Sequence, residues 1–351
     1  MDGTTYNPDT KLASIQPGGH WQTVYDTLAP HGVVVTGGRA GTVGTGGFIT
    51  GGGNSFHSAS HGMACDNVAN FEVVLGDGSI VNANSTHNAD LWQAMKGSSA
   101  NLGLVTRFDI TPVIWGGNLI YDLSAGPAVV DAMVEFADNV HKDENSSSII
   151  YWAYIPAIED TLATIDLMSS VANKLGSGQP AGFRNVWFTA SFKNNSNVMN
   201  YAVDKFYALN AELEDLLTAE SGFNTLCMFQ PISKSIVDKG VRNGGNIFGL
   251  ERYTSGGSNG MLFLATLAIS GADQEALALP LMRDYTADVE AFARAEGVYW
   301  DWKFPNYAHS NQDPVASFGV ENVAKLRAAS AAYGPLGVFQ RLRTTGFHIP
   351  E

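Results

Sequence analysis

The chain has 351 residues, 45% of them hydrophobic and 15% charged, with a formal net charge of −14. High hydrophobicity with few charges excludes intrinsic disorder. The acidic balance argues against nucleic-acid and anionic-membrane partners, because phosphate contacts need clustered Lys and Arg and no such cluster exists. At about 150 residues per domain the length suggests two domains.

The N-terminus, Met1 to Thr5, carries neither a basic nor an apolar leader segment. Leu12 to Gln16 reads as a strand ended by Pro17-Gly18-Gly19. Trp21, Val24, Tyr25 and Leu28 recur at helical spacing, and Pro30 closes that helix. Val33 to Val35 is a short buried strand leading into a run in which nine of the seventeen residues from Gly37 to Gly53 are glycine. Asn70 to Leu75 and Ser79 to Asn82 flank Gly76-Asp77-Gly78, a hairpin signal because Asp-Gly accepts positive φ. Asp90 is the expected cap of a helix from Leu91 to Met95, and Leu104 to Ile110 alternates as a strand.

After Thr111-Pro112 the composition shifts. Val129, Val130, Met133, Val134, Phe136, Ala137 and Val140 form one helical stripe, and Tyr201, Val203, Phe206, Leu209, Leu213, Leu216 and Leu217 form another. Ser148 to Tyr154, Val186 to Phe192 and Met261 to Ser270 read as strands of an antiparallel sheet. Helices are expected from Ala276 to Ala295 and from Asn322 to Tyr333, with an extended piece at Val298 to Trp302. Strands and helices come in blocks, so the expected class is α+β. The longest apolar stretch, Met261 to Ile269, is about half a membrane span. Cys65 and Cys227 build no disulfide framework, no Cys/His spacing fits zinc, and sequons at Asn84, Asn145 and Asn194 leave the compartment open.

The glycine run is where chemistry is expected. Glycine lets backbone N–H groups approach a ligand unobstructed, and successive N–H groups form anion nests suited to a pyrophosphate. Val43, Phe48 and Ile49 inside the run argue against a solvated linker. No G-x-G-x-x-G and no Gly-Lys-Ser/Thr occurs in it, which excludes the Rossmann and Walker patterns.

Pro17-Gly18-Gly19-His20-Trp21, Gly37-Gly38-Arg39, Val43-Gly44-Thr45-Gly46-Gly47, Gly51-Gly52-Gly53 and Gly62-Met63-Ala64-Cys65-Asp66-Asn67-Val68 stand in an ordered series. It continues through Val73-Val74-Leu75-Gly76-Asp77-Gly78, Asp90 to Gly97 and Asn101 to Thr106, and resumes at Phe304-Pro305-Asn306-Tyr307 and Tyr333 to Gln340. The series resembles the FAD-linked oxidases of the berberine-bridge-enzyme type, in the vanillyl-alcohol-oxidase superfamily. The resemblance is specific over residues 11–111 and general in the middle. It implies a PCMH-type FAD-binding domain at 1–112, a substrate domain of antiparallel sheet with covering helices at 113–300, and a C-terminal segment at 301–351 that returns to the FAD-binding part.

The resemblance also implies cofactor contacts at Gly38, Thr42, Val43, Gly44, Gly46, Gly47, Gly51, Gly52, Gly53, Asp66, Asn67, Val68 and Asn306, with Tyr307 as general base for a substrate hydroxyl. Valine at Gly46 or Gly47 is expected to weaken FAD binding and spare the fold. In that family an upstream Arg-Ser-Gly-Gly-His loop grips the pyrophosphate and often carries the covalent flavin. This chain begins about where that subdomain would end, so a one-sided grip is expected. His20 falls in the Pro-Gly-x-x-Trp slot, Ala40 occupies the slot of a flavin-linked cysteine, and Cys65 reads as a buried small hydrophobe, so FAD is expected non-covalent. His57 and His61 read as hydrogen-bonded structural histidines, while Trp152, Tyr154 and Tyr253 suit either an aromatic pocket or plain core. The implied function is hydride transfer from a small-molecule substrate to FAD with O₂ as acceptor. The alternatives are a non-redox binding protein or cyclase on the same scaffold, or an incomplete gene product of the oxidase.

Overall fold

Two five-stranded antiparallel sheets organise the computed structural model, which describes residues 1–113, 126–154, 182–218 and 221–351. The first sheet contains β1 (Thr4–Asn7) and β2 (Leu12–Ile15). The pair β3 (Val34–Val35) with β7 (Pro112–Val113) stands apart from it. β4 (Val68–Val74), β5 (Ile80–Asn84) and β6 (Leu104–Ile110) complete the sheet in the order β1-β2-β6-β4-β5. Period-two alternation decides its faces. Ala13, Ile15, Phe71, Phe108 and Ile110 turn inward, while Asp109 turns outward and accepts from Ser14 Oγ at 2.6 Å and Asn70 Nδ2 at 3.0 Å. The Asp-Gly hairpin forms as read, with Gly78 at φ 84°. The helix after β5 is longer than expected, Ala89–Met95. Its cap is Asn88 rather than Asp90, which instead lies in the first turn and accepts from the Tyr333 hydroxyl at 2.6 Å.

The second sheet runs β12-β9-β11-β10-β8, from β8 (Ile150–Tyr154), β9 (Arg184–Lys193), β10 (Asn224–Ile232), β11 (Gly260–Ile269) and β12 (Tyr299–Trp300). Helices Ser196–Leu216 and Ala272–Ala295 cover one face. There Phe188, Phe192, Phe229 and Phe263 meet Val203, Phe206, Met282 and Val289 in the second core. The N-terminal turn of the first of these helices is fixed by Asn195, whose side chain accepts from the Val198 amide.

Sequence reading misses β10 because Gln230-Pro231 interrupts its apolar alternation, and proline inside a run argues against a central strand. At Pro231 the strand pairs only with β11, opposite Met261, because pairing with β8 stops at Phe229, and an edge unpaired on one side is where proline is tolerated. Ile232, Ile236, Phe248, Leu250 and Leu262 belong to the first core, together with Trp300, Trp302, Phe304 and Phe318. The interval 232–262, assigned from composition to the second unit, therefore packs on both sides of the division. No helix among the described residues is long and apolar enough to cross a membrane.

Candidate active site

Local packing explains most of the glycine run. A Cβ on Gly37 or Gly38 would overlap the buried indole of Trp21, the first residue of helix Trp21–Leu28. Tyr25, one turn along, donates its hydroxyl to the Gly38 carbonyl at 2.7 Å, and burial pushes its phenol up. At the far end, a Cβ on Gly51, Gly52 or Gly53 would lie 2.5 Å from Asn306, 2.7 Å from Phe248 and 2.5 Å from Phe48 respectively. Gly52 and Gly53 also hold φ of 115° and 79°, a region closed to most side chains.

The middle of the run behaves differently. Thr45–Thr50 is a short helix, which glycine's poor helix propensity conceals in the sequence. The amides of Thr45 and Gly46 donate to the carbonyls of Gly19 and Pro17 at 2.9 and 3.1 Å and so pin it down. Thr42, Val43, Gly44 and Gly47 are exposed. A Cβ on Gly47 would meet nothing within 4 Å, and one on Gly44 only the Gly19 carbonyl at 4.0 Å, whereas at Gly46 it would lie 2.9 Å from the Pro17 carbonyl. His20, also exposed, bridges to Gly44.

Asp66, Asn67 and Asn306 spend their polar atoms on the chain itself. Asp66 is buried and accepts from the Met63 amide and from Asn246 Nδ2, both at 2.9 Å. Burial raises its carboxyl, with these bonds and the nearby Lys96 pulling the other way. Asn67 donates to the carbonyls of His61 and Met63, and the Val68 carbonyl accepts from Trp92 Nε1. Asn306 spans the glycine run, accepting from the Gly53 amide and donating to the Gly47 carbonyl, both at 3.0 Å. Lys96, which sequence reading passed over, is fully buried. Its ammonium donates to the Asn243 carbonyl at 2.7 Å and sits 3.5 Å above the Trp92 ring, and burial lowers its pKa.

Tyr307 lies at a junction of three chain segments. Arg39, from the glycine run, donates through Nη2 to Gln230 Oε1 at 2.6 Å and to the Tyr307 hydroxyl at 3.1 Å. Gln230, on β10, donates through Nε2 to the same hydroxyl at 3.1 Å, and Asn54 Nδ2 donates to Gln230 Oε1 at 3.0 Å. Two N–H donors thus converge on the phenol oxygen, so negative charge developing there is met by hydrogen bonds. The rings of Phe304 and Trp187 lie 4.9 and 5.6 Å from that of Tyr307. Beside the junction opens a pocket of ≈ 20 Å³ with a mixed lining, polar at Arg39, Asn54, Ser55 and Gln230 and apolar at Phe136 and Ile236. That is room for about one water molecule.

Alternation along the second sheet turns Phe188, Cys227 and Phe229 into the second core and leaves Trp187, Leu226 and Met228 half-buried on the opposite face. Tyr151, paired with Met228 across β8 and β10, is 43% exposed there. Of Arg39's two partners, sequence reading singled out Tyr307 but not Gln230, which lies in a strand it did not see.

The remaining candidates resolve into packing. Trp152 is buried in the second core, Tyr253 stacks on Trp300 at 4.9 Å, and the side chain of Tyr154 lies outside the described residues. His61 bonds Ser60 Oγ at 2.7 Å. His57 departs from the expected satisfied histidine: it is buried, its Nε2 has no partner, and burial together with His61 lowers its pKa to about 4. Cys65 is fully buried, and burial followed by the adjacent Asp66 pushes its thiol well above the ordinary range, the opposite of a reactive thiolate.

The chain is similar to known FAD-dependent proteins. The FAD binding domain family matches residues 1–84. An FAD-dependent monooxygenase (drtC) of Aspergillus calidoustus is 34% identical over an alignment covering 100% of this chain and 72% of that protein. A bifunctional solanapyrone synthase of Alternaria solani is 30% identical, covering 98% of this chain and 70% of its own. Among solved structures, 6-hydroxy-D-nicotine oxidase of Arthrobacter nicotinovorans superposes with a TM-score of 0.74 at 16% identity, covering 99% of this chain and 80% of that one. A glucooligosaccharide oxidase of Acremonium strictum gives a TM-score of 0.74 at 16% identity, covering 99% and 79%.

Proposed function

The chain belongs to the FAD-dependent oxidoreductase family that includes these monooxygenases, and from that premise we propose that it holds FAD non-covalently along the exposed residues Thr42, Val43, Gly44 and Gly47 and oxidises a small organic molecule beside Tyr307. The residues fit the cofactor. Gly44 and Gly47 present backbone with no Cβ and nothing in front of it, which is what close approach of a pyrophosphate or ring requires. Gly38, Gly46, Gly51, Gly52, Gly53, Asp66, Asn67, Val68 and Asn306 would support those residues from behind. The buried, raised thiol of Cys65 and the alanine at position 40 favour a non-covalent cofactor.

The chemistry FAD supplies when bound is two-electron acceptance from a carbon bearing a hydroxyl or amine, with O₂ as the onward acceptor. This chain's residues supply the rest. As a phenolate, its own proton already given up to solvent, Tyr307 accepts the substrate's hydroxyl proton, Arg39 and Gln230 hold its oxygen in place, and the half-buried face of Trp187, Leu226 and Met228 receives the apolar body of the substrate. In this division of labour the first sheet, with the segment from 301 onward, forms the cofactor side, and the second sheet forms the substrate side.

The observation that carries the reading is the three-way junction of Arg39, Gln230 and Tyr307, which joins the glycine run to the second sheet. Purified protein is expected to be yellow and to release its FAD on acid precipitation. With a substrate found by peroxide release from a panel of hydroxylated aromatic and polyketide-like molecules, Tyr307→Phe should keep its flavin and lose about 10²–10⁴-fold in turnover. A wild-type protein that takes up no FAD on titration contradicts the reading.

A further inference from the structure

Among the described residues Arg39 is a cation without an anion. Its two Nη2 hydrogen bonds go to neutral acceptors, Gln230 Oε1 and the Tyr307 hydroxyl, and Nε and Nη1 have no acceptor among the described residues. The chain carries 34 Asp and Glu against 20 Lys and Arg, and Arg107, Arg184, Arg283 and Arg294 each sit on a carboxylate. Arg39 takes part in no ion pair among the described residues. It is nevertheless half-buried, lining the narrow pocket with Asn54, Ser55 and Ser58. A partly desolvated guanidinium met only by neutral acceptors lacks the charge partner that burial ordinarily demands.

We propose that Arg39 anchors an anionic oxygen of the substrate, a carboxylate or the ionised oxygen of an acidic enol or phenol. The proposal rests on the active-site reading above and names the substrate class for it. The guanidinium is planar, permanently charged and suited to such oxygens. The pocket of ≈ 20 Å³ admits an oxygen and not a ring, so the anionic group enters while the body of the substrate stays on the face of Trp187 and Met228. Because the same Nη2 holds the Tyr307 hydroxyl, the anchored anion lies within a few atoms of the carbon to be oxidised.

Benzoate and benzamide, alike in shape and different in charge, test this by calorimetric titration of the purified protein. Wild-type protein should bind benzoate at least about tenfold more tightly than benzamide. Arg39→Met should abolish that preference while retaining its flavin, and Arg39→Lys should restore part of it. Equal affinities in the wild type, no heat with benzoate at millimolar concentration, or a preference that survives in Arg39→Met would each overturn the proposal. So would loss of FAD in Arg39→Met alone, which would assign the guanidinium to the cofactor. Calorimetry reads the anion with or without flavin. A wild-type protein that takes up no FAD therefore counts against the proposed function, and the benzoate preference is judged separately.

Discussion

The two ends of the run from Gly37 to Gly53 and its middle use the same residue for opposite purposes. At the ends, glycine is required by what packs against it: Trp21 beneath Gly37 and Gly38, and Asn306, Phe248 and Phe48 against Gly51, Gly52 and Gly53. In the middle, Gly44 and Gly47 face open space. Glycine at the ends makes the fold, and glycine in the middle leaves backbone bare, which is where we place the ligand. Mutation should therefore separate them, the ends through stability and the middle through affinity.

The largest effect is expected at an end. Gly52→Ala would place a side chain at φ 115° and 2.7 Å from Phe248. Left-handed strain of about 1–2 kcal/mol adds to overpacking of about 1–3 kcal/mol, so unfolding in urea should show a loss of about 3 kcal/mol. An unchanged midpoint would mean that the packed end is slack, and the contrast between the regions would fail.

His57 sharpens the same contrast through pH. It follows the packed end, is 4% exposed, and burial with His61 holds its pKa at about 4 against the ordinary 6.5. The unfolded chain therefore takes up a proton below pH 6.5 that the folded chain refuses until about pH 4, and stability falls as pH drops through that window. The whole shift corresponds to about 3 kcal/mol. His57→Gln should flatten the acid limb of stability against pH by up to that amount. The slope that remains includes His61 and His309, which burial also lowers, and is opposed by Asp66, whose raised carboxyl takes up its proton first in the folded chain. An acid limb identical in the variant would show that His57 titrates normally in the folded protein.

What the sequence made legible follows physical range. β6 and the hairpin at Asp77-Gly78 were readable because alternation and turn chemistry are local, and the helix Ser196–Leu216 because its apolar stripe persists over many turns. The glycine run was readable as a stretch of bare backbone, but its two populations were not, since nothing in the run itself shows that Trp21 and Phe248 fill the space beside some glycines only. β10 was hidden by Pro231, which lies beyond the stretch that pairs with β8. Arg39, Gln230 and Tyr307 converge across sequence separations of 191 and 268 residues. Only Tyr307 belongs to a motif segment whose chemistry is evident by itself; Arg39 sits inside one unremarked, and Gln230 lies in none.

The central claim is that the open middle of the run meets the cofactor. Gly47→Val tests it most directly, because a Cβ there meets nothing within 4 Å and valine suits a helix at least as well as glycine. Titration of FAD into wild-type and variant protein, each shown to share the same unfolding midpoint, should find affinity at least about tenfold weaker in the variant, about 1.4 kcal/mol. A folded Gly47→Val protein that binds FAD as tightly as the wild type would contradict the account.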